Sequence, residues 1–272
     1  MGIRQSRPWI VSDELWSLIE PLLPKPGPKK VEGRPQVPDR QALCGILFVL
    51  YTGIQWEYLP QELGFGSGHD LLAAPGRLER GRRLGPATRR AAEEAAVDRP
   101  VGLVAGGDRF LARAGRSARP KSGPSPVDRA RPGSKHHVLT DGQGIPLAVS
   151  LTGGHRNDVT QLLPLLDKIP AVAGLVGRPR RRPDMLFADR GYDHDKYRRL
   201  LRARGIRPAI AERGQPHGTG LGIFRWVVER TISWLHGFRR LRIRWERRDD
   251  IHEAFLGLAA CLITHRHVQR LC

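Results

Sequence analysis

Two carboxylates in this 272-residue chain stand where divalent-ion chemistry could be done. Asp189 follows the apolar run Met185, Leu186, Phe187, Ala188, at the carboxyl end of an expected buried strand. Open α/β sheets place their ligands at that end. A carboxylate there can hold Mg²⁺ while the sheet fixes its position. The competing reading makes Asp189 an ordinary turn or capping residue before Gly191. Glu229 lies within FRWVVERTISWLHGF, among Phe224, Val227, Val228 and Leu235. That pattern predicts a partly buried helical position, where an unpaired carboxylate is costly. It must meet a metal or an arginine, and Arg225, four residues earlier on the same face, could simply pair with it.

Two-metal nuclease chemistry needs at least three acids on separate elements around ions roughly 3.5–4 Å apart. One ion activates water or a 3′ hydroxyl and the other stabilises the leaving oxygen. The third acid is expected from a strand preceding KHHVLTD, and Asp108 is the acidic residue near that place. Its surroundings, VAGGDRFLA, read as a poor central strand. Asp128 comes too late, and Asp141 before Gly142 is ordinary hairpin chemistry. His136 and His137 are neighbours in a strand and point to opposite faces, one to line a cleft and the other to pack. Asn157 reads as a helix cap.

Charge supplies the partner. Forty-six Lys and Arg against 27 Asp and Glu give a net charge of +19. Self-repulsion of this size costs stability and asks for a polyanion. Residues 178–248 hold 20 of the basic residues against seven acids, in the clusters GRPRRRP, YRRLLRARGIR and FRRLRIRWERR that flank both carboxylates. Backbone phosphate binding explains such density better than solubility. Trp245 amid these arginines suits either base stacking or a core. Cys44, Cys261 and Cys272 match neither a disulfide framework nor a zinc knuckle. No secretion signal and no apolar run of membrane length is present. The expectation is a soluble, cytoplasmic, nucleoid-associated protein.

The elements that must position these groups follow from periodicity. Residues 12–23 predict a helix capped by Ser12, residues 39–51 a helix buried on most sides, and the segment around Trp56 a short third helix. Together they form a small helical module, either a DNA-binding head or a packing unit. The proline-rich, basic segment 24–38 reads as an extended arm. Residues 68–109 lack aromatics, Ile, Lys, Ser, Asn, Gln, Cys and Met. That palette suits a flexible linker, a helix at 87–96 flanked by coil, or GC-rich DNA translated out of frame. From 133 the pattern predicts two strands joined by a tight turn, a helix at 158–168, a strand at 185–188, a basic helix at 195–204, a strand at IRPAIA, and helices at about 223–236 and 251–267. The fold class is α/β: a ribonuclease-H-like mixed sheet with flanking helices, preceded by the helical domain. The divisions are 1–67, an anomalous linker or frameshifted segment at 68–119, and a catalytic domain at 120–272.

SDELWSLIEPLLP, GILFVLYTGIQWEYLP, GPSPVDRARPGSKHHVLTDGQGIPLAVSLTG, NDVTQLLPLLD, FADRGYD and RWVVERTISWLHGFRRLRIRWERR jointly resemble bacterial insertion-sequence transposases of the IS5 group. The resemblance covers roughly 12–68 and 120–267. It implies an Asp–Asp–Glu triad binding Mg²⁺ (or Mn²⁺), strand cleavage and transfer at double-stranded inverted-repeat ends, and a homo-oligomer when active. Matched by motif, the second Asp is Asp189 and the Glu is Glu229; Asp108 falls near the place of the first. Arg225 matches the family's signature arginine, whereas Gly222 and His236 replace its tyrosine and its later basic residue. Arg225, Arg239, Arg240, Arg242, Arg244, Lys135 and His136 are the expected DNA contacts. Between 68 and about 115 the family pattern is lost at constant length, as two compensating frameshifts would produce. The alternative function is a non-catalytic DNA-binding remnant of a transposase. A structural RNA-binding protein ranks third, because no RNA module is recognisable.

Overall fold

A computed structural model describes residues 7–23, 37–73, 102–111, 120–126, 129–169, 182–214 and 222–271. The side chains of 102–111 and 222–225 lie outside that description, as do most of the arm at 24–38, the segment 87–96 and residues 170–181 of the loop before Met185.

Helix α1 (Asp13–Ile19) begins where Ser12 Oγ accepts from the Leu15 amide at 3.2 Å. A 3₁₀ turn, Glu20–Leu22, continues it. Helix α2 (Asp39–Thr52) buries Ala42, Leu43, Ile46, Leu47, Val49 and Leu50. Being apolar nearly all round, it belongs inside a core. It stops at Gly53, whose φ of 75° only glycine adopts without strain. The expected third helix is instead two 3₁₀ turns, Trp56–Tyr58 and Gln61–Leu63, followed by α3 (Gly68–Ala73). Pro60 explains the break, since it pushes Leu59 into extended backbone and offers no N–H of its own.

Strands β1 (Gly102–Leu111), β2 (Gly123–Pro124), β3 (Pro132–Thr140), β4 (Pro146–Gly153), β5 (Met185–Ala188) and β6 (Arg207–Ile210) make one sheet among the described residues. Its order runs β4-β3-β1-β5-β6, with β2 also against β3. β3 is antiparallel to β1 and β4, and β5 and β6 run parallel to β1. This corrects the expectation for VAGGDRFLA: the segment is a central strand, so residues 102–111 are sheet and not linker. The β3 ladder runs through Gly106 and Gly107 and the β5 ladder holds the strand just before them, which outweighs their weak strand preference. The β3–β4 turn is as expected. Asp141 Oδ1 accepts from the amides of Gln143 (2.9 Å) and Ile145 (2.8 Å), and Gly144 takes a φ of 85°.

Helices α4 (Leu162–Asp167) and α5 (Asp195–Ala203) share one core with the sheet, through Leu139, Ala148, Leu162, Leu165, Leu186, Ala188, Leu201 and Ile210. Helices α6 (Gly222–Gly237) and α7 (Asp249–Leu271) join the second. Val138, Leu235, Phe238, Leu241, Phe255 and Leu256 pack there with Leu43, Leu47 and Leu50 of α2, so the amino-terminal helices share a core with the carboxyl-terminal ones. Among the described residues, no helix is long and apolar enough to cross a membrane.

Candidate acidic centre and nucleic-acid interface

The β1–β5 ladder brings two of the three acidic positions onto neighbouring strands. Ala105 pairs with Ala188, so Asp189 leaves β5 level with Gly106, two residues before Asp108 on β1. At about 3.3 Å per residue and 4.8 Å between strands, the two backbones stand roughly 8 Å apart. Asp189 is exposed, and its Oδ1 accepts from the Gly191 amide at 2.8 Å, capping the 3₁₀ turn Arg190–Tyr192. The capping role is therefore real. A carboxylate has about four lone-pair sites, so one amide bond leaves capacity for a cation.

Glu229 departs from expectation. It is exposed on α6, which buries Val227, Val228, Thr231 and Leu235 and packs against β1 and β3. The apolar neighbours in sequence belong to another side of the helix, because 100° of rotation separates successive residues. Thr231 Oγ1 donates to the Gly144 carbonyl at 2.6 Å, holding α6 against the β3–β4 turn. Among the described residues, no group of three or more His, Cys, Asp or Glu is placed to hold a metal. The side chains of Asp108 and Arg225 lie outside the described ones.

The expected DNA contacts divide by burial. Arg239 and Arg242 are exposed, Arg242 with Nε donating to the His236 carbonyl at 2.7 Å. Arg240 and Arg244 are 2% and 0% exposed, which corrects their assignment to a phosphate-facing surface. Arg240 pairs with Glu246 (2.5 Å) and donates to the Ile54 carbonyl (2.5 Å); Arg244 donates to Ser134 Oγ (3.0 Å) and the Lys121 carbonyl (3.1 Å). A guanidinium carries five donors on an apolar stem, so it can tie buried loop carbonyls together as well as grip phosphate.

Lys135 and His136 need the same correction, at 4% and 1% exposure. Lys135 Nζ reaches Asp158 (2.7 Å) and the Arg156 carbonyl (2.8 Å). We expect Lys135→Ala to lower unfolding free energy by about 2 kcal/mol, the value of buried bonds to a charged donor. The salt dependence of DNA binding should stay unchanged, because no phosphate contact is lost. A shallower salt slope would return Lys135 to the DNA surface.

His136 stacks on His252 and His137 Nε2 lies 2.6 Å from Thr152 Oγ1. Burial pushes the His137 pKa down to about 4; Asp158 opposes this and Lys135 adds to it. The unfolded chain binds a proton near the ordinary value of 6.5, and the folded one does so only near 4. The unfolded state therefore holds more protons in that interval, so stability falls as pH drops from about 6.5 and levels off below 4. The loss from this residue should be roughly 3 kcal/mol. Urea midpoints measured across that range test it; a flat profile would count against a neutral buried imidazole. Glu246, His252 and His236 were missed as partners, because contacts between segments far apart in the chain leave no local pattern.

Family comparisons agree with this geometry. Residues 11–90 match the family described as "Putative transposase of IS4/5 family", and residues 108–219 and 186–265 match two families each described as "Transposase DDE domain". The "Putative transposase for insertion sequence element IS402" of Burkholderia cepacia is 56% identical over 203 residues, covering 75% of this chain and 96% of that protein. The "Insertion element IS402 uncharacterized 16.2 kDa protein" of the same organism is 59% identical over 61 residues, 22% of this chain and 42% of its own length.

Proposed function

We propose, from the premise that this chain belongs to the DDE-type insertion-sequence transposases, that it binds the terminal inverted repeats of its element as double-stranded DNA and catalyses metal-dependent strand cleavage and transfer. The observation that carries this reading is the register: Asp108 lies on β1, Asp189 directly follows the neighbouring strand β5, and the helix that bears Glu229 packs against β1. The DDE match beginning at residue 108 supports Asp108 as the first acid. The strand order and the antiparallel-then-parallel pattern support a ribonuclease-H-like fold for the catalytic part, which then includes β1.

Asp108, Asp189 and Glu229 would hold Mg²⁺ or Mn²⁺, hard cations that an all-carboxylate set suits. Such ions supply Lewis-acid stabilisation and an activated oxygen nucleophile. The sheet fixes Asp189 through its strand and its capped turn, and the packing of α6 fixes the level of Glu229. Arg239, Arg242 and Arg225 are the proposed phosphate contacts, and the active species is proposed to be a homo-oligomer bringing two ends together.

A second reading, a non-catalytic DNA-binding remnant, is favoured by the composition of residues 68–109. Labelled duplexes carrying the element's ends, incubated with the protein and Mg²⁺ or Mn²⁺, separate the two. End-selective binding with nicking at the repeat boundary supports the transposase. Selective binding without nicking supports the remnant. Equal affinity for unrelated duplex would overturn both.

A further inference from the structure

The sheet edge where Asp189 emerges also holds a fixed arginine. β5 and β6 run parallel, so Asp189 and the chain after β6 leave the sheet on the same side. The Ala211 amide donates to the Ala188 carbonyl at 3.2 Å, which carries the ladder one residue past Ile210 and sets Ala211 beside Asp189. Arg213 follows two positions later and is exposed. Open α/β sheets receive their ligands at this edge.

Three bonds tie Arg213 to the turn that carries Asp189. Its backbone amide donates to Asp193 Oδ2 at 2.8 Å, its Nε to the Arg190 carbonyl at 3.2 Å, and its Nη2 to His194 Nε2 at 3.2 Å. A guanidinium only donates, so His194 Nε2 accepts and the ring hydrogen sits on Nδ1. Arg190 adjoins Asp189 in the chain, which sets the guanidinium against the Asp189 turn. Asp193 is engaged by Arg198 Nε at 2.8 Å and by the Arg213 amide. Among the described residues no carboxylate forms an ion pair with the Arg213 guanidinium. Arg204 and Arg248, by contrast, close theirs on Asp167 and Asp250.

Nε and Nη2 share one side of the planar group, and that side faces the turn. The tip, where Nη1 and Nη2 each present a hydrogen in parallel, is the fork that grips two oxygens of one phosphate. Tethering the loop uses only the Nε side. An arginine already anchored there has less rotamer freedom to lose when its tip binds.

We propose that Arg213 is a phosphate-binding residue of the acidic centre, its fork holding the backbone phosphate that adjoins the scissile one in the cleaved strand. The proposal rests on reading Asp189 as a metal-binding acid. One turn carries the acid and anchors the arginine, so the spacing between them is constant. A strand gripped by Arg213 therefore presents its neighbouring phosphate to the ions in a fixed pose.

The test is a methylphosphonate scan. Single phosphates of a duplex carrying the element's end are replaced in turn by neutral methylphosphonates. Affinity is measured in EDTA for the full-length protein and for Arg213→Ala, so that no turnover is required. The unsubstituted protein should lose about tenfold at one phosphate adjoining the repeat boundary. Arg213→Ala should lose nothing further there and keep the rest of the profile. On the unmodified duplex it should bind about tenfold more weakly, with a salt slope smaller by about one. Arg213→Lys should restore the slope but only part of the affinity, because an ammonium is a point charge without the fork. Identical scans for the two proteins, or a difference only at a phosphate remote from the boundary, overturn the proposal. Should Arg213→Ala fail to fold, Arg213→Gln, which keeps a donor for the loop, replaces it in the scan. The reading beneath is judged separately: near-normal cleavage by Asp189→Asn overturns it, whatever the scan shows.

Discussion

Asp189→Asn should abolish metal-dependent strand cleavage while leaving the fold and DNA binding intact. Asparagine keeps an oxygen that can accept from the Gly191 amide, so the capped turn after β5 survives. It lacks the charge that a divalent cation requires. A ligand to an ion that stabilises transition-state charge carries several kcal/mol, so the rate should fall by about a thousandfold or more. Affinity for end DNA measured in EDTA should stay within about twofold, because Asp189 is proposed to contact the ion and not phosphate. Single-turnover cleavage of an end-labelled duplex, with the binding isotherm alongside, makes the comparison. Cleavage within tenfold of the unsubstituted rate would remove Asp189 from the centre and leave it as a turn cap.

The largest loss of stability is expected at Glu246. Its partner Arg240 has a side chain only 3% exposed and joins two distant parts of the chain, bonding Glu246 on one side and the Ile54 carbonyl beyond α2 on the other. Glu246→Ala leaves that guanidinium without its carboxylate in a dry setting and removes the acceptor facing His252. Breaking a buried pair from one side costs about 3–5 kcal/mol. For a chain of this size that lowers the melting temperature by roughly 10 °C. Replacing both partners by apolar residues, Glu246→Leu with Arg240→Met, should recover much of the loss, since the desolvation cost disappears with the charges. The pH dependence follows from the lowered carboxylate pKa: the pair's contribution is complete above the ordinary Glu value of 4.5 and is lost as pH falls through the lower folded value. A Glu246→Ala protein that melts like the original would show that the pair contributes nothing net.

The acids and the arginines were legible to different degrees. Asp189 was readable because a four-residue apolar strand ending in Asp is a local signal, and the parallel ladder to β1 is what that run suits. Asp108 was readable only as the acid nearest the expected strand, since Gly106 and Gly107 dilute the strand pattern that the β3 ladder then imposes. Glu229 was placed on the correct helix but on the wrong side of its burial. For the basic residues, composition announced a polyanion partner without saying which side chains face it. Arg239 and Arg242 are exposed, and Arg240 and Arg244 are interior, although all four lie within six positions.

Local order was therefore written along the chain: the hairpin at Asp141, the caps at Ser12 and Asn157, the apolar helix α2, the strand before Asp189 and the excess of positive charge. These depend on backbone preferences and residue spacing over a few positions, which sequence states directly. The tertiary structure alone decided that residues 102–111 form a central strand, that α2 shares a core with α7, and that the His136 ring is buried against His252, which in turn meets Glu246. Each of those outcomes joins segments far apart in the chain. Burial and pairing there are settled by which surfaces close on one another, a competition that residue types enter without determining its result.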